Sequence, residues 1–138
     1  MKSRNLMIGD LVEVVSSDHL KYVRVVEIYE TSVFVEYTNK EWEPEAIDIA
    51  NIKPIPLTEE FFEKNGFVLD NGFLQLYKIY ENKDKQIQIT DINNSGDGYW
   101  NVHVDNEDFD TIGGCDVKYV HQFQQLLRLC GYEMDMVV

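Results

Sequence analysis

The sequence predicts an α+β fold: an N-terminal SH3-like small β-barrel, a linker helix, then an antiparallel meander sheet packed by a C-terminal helix. Three observations carry that reading. The first third runs in short β-branched and aromatic segments at close spacing. Ile52-Lys53-Pro54-Ile55-Pro56 then interrupts it with two prolines, and a single long amphipathic stretch stands near the end. Each proline fixes φ and removes a backbone donor, so that segment is extended and is no central strand. The break separates an SH3-like β subdomain over 1–56 from an α+β subdomain over 57–138.

Ile8-Gly9-Asp10 opens a strand through Leu11-Val12-Glu13-Val14-Val15, and Ser16-Ser17-Asp18 turns it. Tyr22 to Tyr29 and Val33 to Tyr37 follow as strands, joined by Glu30-Thr31-Ser32. Residues 39–45 form a charged loop carrying Trp42 and Pro44, and 47–52 return as a short strand or single turn. Four or five short strands within so few residues are too few for a sandwich and suit a strongly bent small barrel, closed on itself or capped by the next segment.

A helix is predicted over 58–65. Thr58 is its N-cap, Glu59, Glu60 and Glu63 suit the positive end of the helix dipole, and Asn65-Gly66 is a left-handed stop. A β-meander is predicted over 67–104, with Asn71-Gly72 marking a hairpin and Ile87 and Ile89 alternating with polar neighbours. Residues 105–116, acidic and glycine-containing, read as a loop. The long helix spans 117–130, with Val120, Phe123, Leu126, Leu127 and Cys130 as its apolar stripe and Gly131 as its C-cap. Residues 132–138 alternate as an edge strand.

The net charge is −13, from 12 basic and 25 acidic side chains. Of these, 6 basic and 10 acidic lie in residues 1–56 and 6 and 15 in the rest, net −4 and −9. Such a surface repels phosphate backbones, so direct nucleic-acid binding is not expected. Solubility explains the acidity most simply; the alternative is imitation of nucleic acid toward a basic host protein. No stretch of about 18 apolar residues exists and the start offers no signal-peptide pattern, so no membrane contact and a cytoplasmic location are expected. In that reducing setting Cys115 and Cys130 are expected as thiols.

Two blocks are distinctive, Pro54-Ile55-Pro56-Leu57-Thr58 and Tyr119-Val120-His121-Gln122. With Ile8-Gly9-Asp10 they resemble a group of small acidic proteins common in Bacteroides-type genomes and their prophage or mobile-element regions. That group has no established activity, so the resemblance transfers no catalytic residue. It implies a small binder or modulator.

Each candidate site has a plainer role beside it. Residues 91–98 match a calcium loop in their first six positions, but Gly98 stands where an apolar residue belongs and Val102 where the bidentate Glu belongs. They read as a hairpin loop. His103 with Asp105, Glu107, Asp108 and Asp110 offers imidazole and carboxylate donors for a metal, against a solvated acidic loop. Cys115 lies near the start of the predicted long helix, where the dipole lowers a thiol pKa, but His121 six residues on points to a different face, so the two do not form a nucleophile pair. His19 has no recognisable partner. Phosphate loops, serine triads and zinc spacings are missing from the sequence, so an enzyme is not expected and no cofactor is implied.

The binding candidates are Trp42, Tyr37, Glu41, Glu43 and Glu45, within a subdomain also rich in Tyr22, Tyr29 and Phe34. An exposed aromatic groove takes extended peptides, and glutamates around it select basic ligand residues. The competing role for these aromatics is the core of a small domain. The expected function is a non-enzymatic protein–protein interaction module of a prophage or mobile element; the alternatives are an acidic nucleic-acid mimic and a metal-dependent protein built on His103.

Overall fold

The computed structural model describes residues 1–15, 20–39, 42–70, 77–82, 85–91, 98–105, 111–132 and 135–138. The chain is mixed α+β, and its described residues form antiparallel strands in two five-stranded sheets and two α-helices. It divides into two compact units, Met1–Ile55 and Pro56–Val138.

The first unit is a meander of β1 (Leu11–Val15), β2 (Leu20–Ile28), β3 (Ser32–Tyr37), β4 (Glu45–Asp48) and β5 (Ile52–Lys53), ordered β4-β3-β2-β1-β5. Alternation in β3 sends Val33, Val35 and Tyr37 inward and leaves Ser32, Phe34 and Glu36 outside. Val12, Val14, Val23, Val25 and Ile52 complete the core with Leu6. A bulge at Val26 shifts the β2–β3 register, since Val25 pairs with Val35 but Glu27 with Phe34. Such an extra residue bends and twists the strand that β1 and β3 share.

The Ile8-Gly9-Asp10 opening is a stapled turn. Gly9 takes φ 92°, a conformation that a Cβ disfavours. Asp10 is fully buried, and its carboxylate accepts from Met7 N at 2.8 Å. Gly9 N donates to Val25 O and Val25 N to Asp10 O, which ties the turn to β2. After β4, Asp48 accepts from Ala50 N at 2.8 Å and starts a 3-10 turn over Ile49–Asn51. That turn returns the chain so that Ile52 pairs with Val14 and Lys53 with Glu13.

No closed barrel forms among the described residues. β4 and β5 stand at the two ends of an open sheet, so of the two forms expected for the small barrel the one closed on itself is corrected. Short β4 and two-residue β5 offer few groups to pair across the remaining gap.

The second unit orders its sheet β10-β9-β8-β7-β6, from β6 (Val68–Asp70), β7 (Tyr77–Asn82), β8 (Lys85–Asp91), β9 (Trp100–Asp105) and β10 (Thr111–Val117). Its buried face comprises Ile87 opposite Val104, Ile89 opposite Val102, and Val117 opposite Trp100. Helices α1 (Glu59–Lys64) and α2 (Val120–Leu129) contribute Phe61, Phe62, Val120, Phe123 and Leu127 to the core. The helix expected as a linker is therefore a core element.

Phe62 is fully buried and meets four rings edge-on: Trp100 at 5.0 Å between centroids, Phe67 and Phe123 at 5.5 Å, and Phe61 at 5.6 Å. Edge-to-face geometry sets the positive rim of one ring against the negative face of the next. Trp100 also donates its indole N–H to Leu57 O at 3.3 Å.

Both helices end alike. Gly66 and Gly131 take φ 82° and 78°. Phe67 N donates to Phe62 O and Gly66 N to Glu63 O; Tyr132 N donates to Leu127 O and Gly131 N to Arg128 O. This is the Schellman pattern, and in each case a buried aromatic follows the glycine. Thr58 accepts from Phe61 N at 3.1 Å as expected of the α1 cap. At the start of α2, the Gln122 side chain reaches back to accept from Lys118 N and Tyr119 N.

Three further expectations are corrected. Residues 111–117, of which 111–116 were expected as loop, form β10: pairing with β9 overrides the low strand propensity of Gly113 and Gly114, with a register shift between Thr111 and Gly113. Helix α2 starts at Val120 and not at 117, because Val117 stays in β10 opposite Trp100. No strand occurs in residues 135–138. There the Asn65 side chain accepts from Val137 N at 2.9 Å and donates to Val137 O at 2.8 Å. One amide thus replaces the neighbouring strand that the alternation implies. The Asn71-Gly72 hairpin lies outside the described residues.

Two outcomes test this packing. Phe62→Ala is expected to cost about 3–5 kcal/mol, as for other buried aromatics cut to alanine, read from denaturant unfolding; a loss near zero would refute its central place. Asn65→Ala is expected to abolish hydrogen-exchange protection at the Val137 amide; unchanged protection would mean that the side chain is not what holds the C-terminal segment.

Candidate functional site

The register of β3 and β4 builds the candidate surface. Val35 pairs directly with Glu45. Directly opposed residues share a face, so Glu45 lies on the side of Val35 and of Tyr37 two residues on. Tyr37 is only 4% exposed, and its hydroxyl at the rim of the core donates to the Glu45 carboxylate. Trp42 lies against the Tyr37 ring at 6.0 Å between centroids, tilted by 44°. It is nevertheless 52% exposed. Glu43 and Glu45 are exposed beside it, with Pro44 between them. Glu41 lies outside the described residues.

Tyr37, Trp42 and Glu45 are thus brought together, in different parts. Tyr37 is a core ring with a polar tip, Glu45 holds that tip, and Trp42 presents the accessible surface. The other aromatics divide similarly: Tyr22 and Tyr29 are exposed and Phe34 is half-buried. The core of this unit is mostly aliphatic, and Tyr37 is the aromatic side chain that joins it among the described residues.

The Tyr37 phenol is pushed up to about 12 from 10.0, first by burial, then by its hydrogen bond to Glu45 and that carboxylate's charge. All three favour the neutral phenol.

The remaining candidates are described only in part. His103 lies exposed on β9, opposite Gly114 and Gln88. Asp105 ends the same strand, paired with Thr111, and Glu107, Asp108 and Asp110 lie outside the described residues. Among the described residues no group of three or more His, Cys, Asp or Glu side chains could hold a metal ion. The calcium-like stretch is described only at Asp91, which ends β8, and Gly98. His19 also lies outside the described residues.

Cys115 sits on β10 opposite Val102, not at the start of a helix, so no helix dipole acts on its thiol as the sequence suggested. Desolvation, followed by the charges of Asp116 and Cys130, raises its pKa and disfavours the thiolate. Cys115 is exposed, Cys130 half-buried, and neither forms a disulfide. His121 is buried and stacked on Tyr119 at 6.0 Å, a packing role. Sequence reading missed the Lys118 ammonium, which stands 5.4 Å from the Tyr99 ring and 5.9 Å from the Tyr119 ring. Nothing local in the sequence announces that arrangement, since Tyr99 and Lys118 meet only through folding. No described helix is long and apolar enough to cross a membrane.

Because the Tyr37 pKa is higher folded than its ordinary value of 10.0, its contribution to stability is fully present below pH 10 and is lost as pH rises towards 12. The stability advantage over Tyr37→Phe is therefore expected to shrink across that window, and Glu45→Gln to lower the phenol's spectrophotometric pKa. A pH-independent difference, or an unmoved pKa, would contradict the coupling.

No protein-family model matches the chain, and no curated protein or solved structure matches it. Any functional reading therefore rests on the residues of this chain.

Proposed function

We propose that the protein is a non-enzymatic protein–protein interaction module whose docking surface is centred on Trp42, with Tyr37, Glu43 and Glu45 around it. The observation that carries this reading is the half-exposed Trp42 ring resting on a tyrosine that is itself fixed from below. A large indole left half in water is a characteristic anchor of protein interfaces.

The strand order of the first unit supports reading it as SH3-like. A bulged central strand and a 3-10 turn returning β5 to β1 are the bends that a small barrel requires. The resemblance of the Pro54–Thr58 and Tyr119–Gln122 blocks to small mobile-element proteins supports that biological setting. The surface takes a protein partner in the cytoplasm, without a cofactor.

Trp42→Ala is expected to abolish retention of the partner in a tagged pull-down from nuclease-treated host lysate. Its folding stability should stay within about 0.5 kcal/mol of the parent, the range of surface substitutions away from structural features. Equal retention by both proteins would overturn the reading. Basic proteins released from both at modest salt would instead support the charge-driven alternative, an acidic mimic of nucleic acid.

A further inference from the structure

Resting on the reading of Trp42 as a docking surface, we infer that its occupant is a protein segment presenting an arginine side chain, whose guanidinium lies flat on the Trp42 indole and donates to the Glu43 and Glu45 carboxylates.

Ring chemistry gives the first argument. Indole has the strongest cation-attracting face among the aromatic side chains, and Trp42 keeps half of its surface accessible. The second is charge complementarity. Residues 40–48 read Lys-Glu-Trp-Glu-Pro-Glu-Ala-Ile-Asp, with four acidic side chains against one basic, in a chain of net charge −13. A neutral apolar anchor would gain nothing from these carboxylates and would have to desolvate them. A cation uses ring and carboxylates together.

The third argument is preorganisation. Tyr37 supports the ring from a buried position, and its hydroxyl donates to one oxygen of Glu45. A carboxylate has two oxygens and several acceptor sites, so Glu45 is oriented by that bond and still accepts from a ligand. Pro44 restricts the backbone between the two glutamates. Little ordering is then left to be done on binding.

Arginine fits better than lysine. Its guanidinium is planar, weakly hydrated and forked, so it stacks by its face while its edge donates to carboxylates. A lysine ammonium is compact and strongly hydrated, and gives up more solvation for one contact.

The test uses the full chain, isotopically labelled, titrated with three Gly/Ser peptides. These carry arginines, lysines or norleucines at the same three positions. The protein has two tryptophans. The Trp42 indole N–H signal reports the site, and that of Trp100, bonded to Leu57 O, reports the intact core. The arginine peptide is expected to shift the Trp42 signal alone and to bind several-fold tighter than the lysine peptide. Glu43→Gln is expected to weaken it by roughly threefold to tenfold, with the weakening reduced at high salt. Trp42→Ala should abolish the interaction.

Equal or greater response to the norleucine peptide would overturn the arginine inference while leaving the docking surface standing. Equal affinity for arginine and lysine peptides with an unmoved Trp42 signal would also overturn it, as would no response to any peptide. If capture in the pull-down is also indifferent to Trp42→Ala, the docking surface itself falls.

Discussion

The C-terminal unit depends on the environment of one ring. Phe62 belongs to a helix of only six residues, too short to hold itself together in water. What keeps that helix formed is that Phe62 is enclosed by Phe61, Phe67, Trp100 and Phe123, drawn from both helices, the turn after α1, and β9. Rings meeting edge-on leave little freedom in their mutual angles, so the cluster fixes orientation as well as burying area. The sheet supplies a floor of Ile87, Ile89, Val102 and Val104, and its aliphatic side chains accept the ring cluster without imposing polar demands.

Around that cluster the chain is held by backbone and amide hydrogen bonds. Leu57 N donates to Lys118 O and Leu57 O accepts from the Trp100 indole, which secures the stretch that enters α1. Two identical helix endings direct Phe67 and Tyr132 back into the core. Asn65 acts twice, since its side chain closes α1 and also binds both polar groups of Val137. Polar groups near a core are costly when unpaired, so a side chain able both to donate and to accept is well suited to a terminal segment without a strand partner.

In the N-terminal unit, stability and candidate function meet at Tyr37. Its ring belongs to the aliphatic core while its hydroxyl reaches the surface, and that amphipathic character links the two. Glu45 is placed by strand register, Trp42 by contact with the Tyr37 ring. The candidate surface is therefore carried by a sheet edge and not by a free loop alone. A rigid support of this kind would leave little of the proposed docking surface to be ordered on binding.

Much of this organisation was legible in the sequence. Thr58, the three glutamates and Asn65-Gly66 fix α1 because capping is local chemistry, readable from consecutive residues. Alternation in Val33–Tyr37 fixes which side chains of β3 face inward for the same reason. The prominence of Trp42 was legible from its charged and proline neighbours. Tertiary structure alone decided the rest. Gly113 and Gly114 became strand through pairing with β9, Val117 was withheld from α2 by Trp100, and the alternating C-terminus was captured by an amide 72 residues away in sequence. It also decided that five strands leave an open sheet, and that Tyr37 is core while Trp42 is not. Each of these depends on which distant surface is available to pair or pack, and that is a property of the folded chain and not of any window of it.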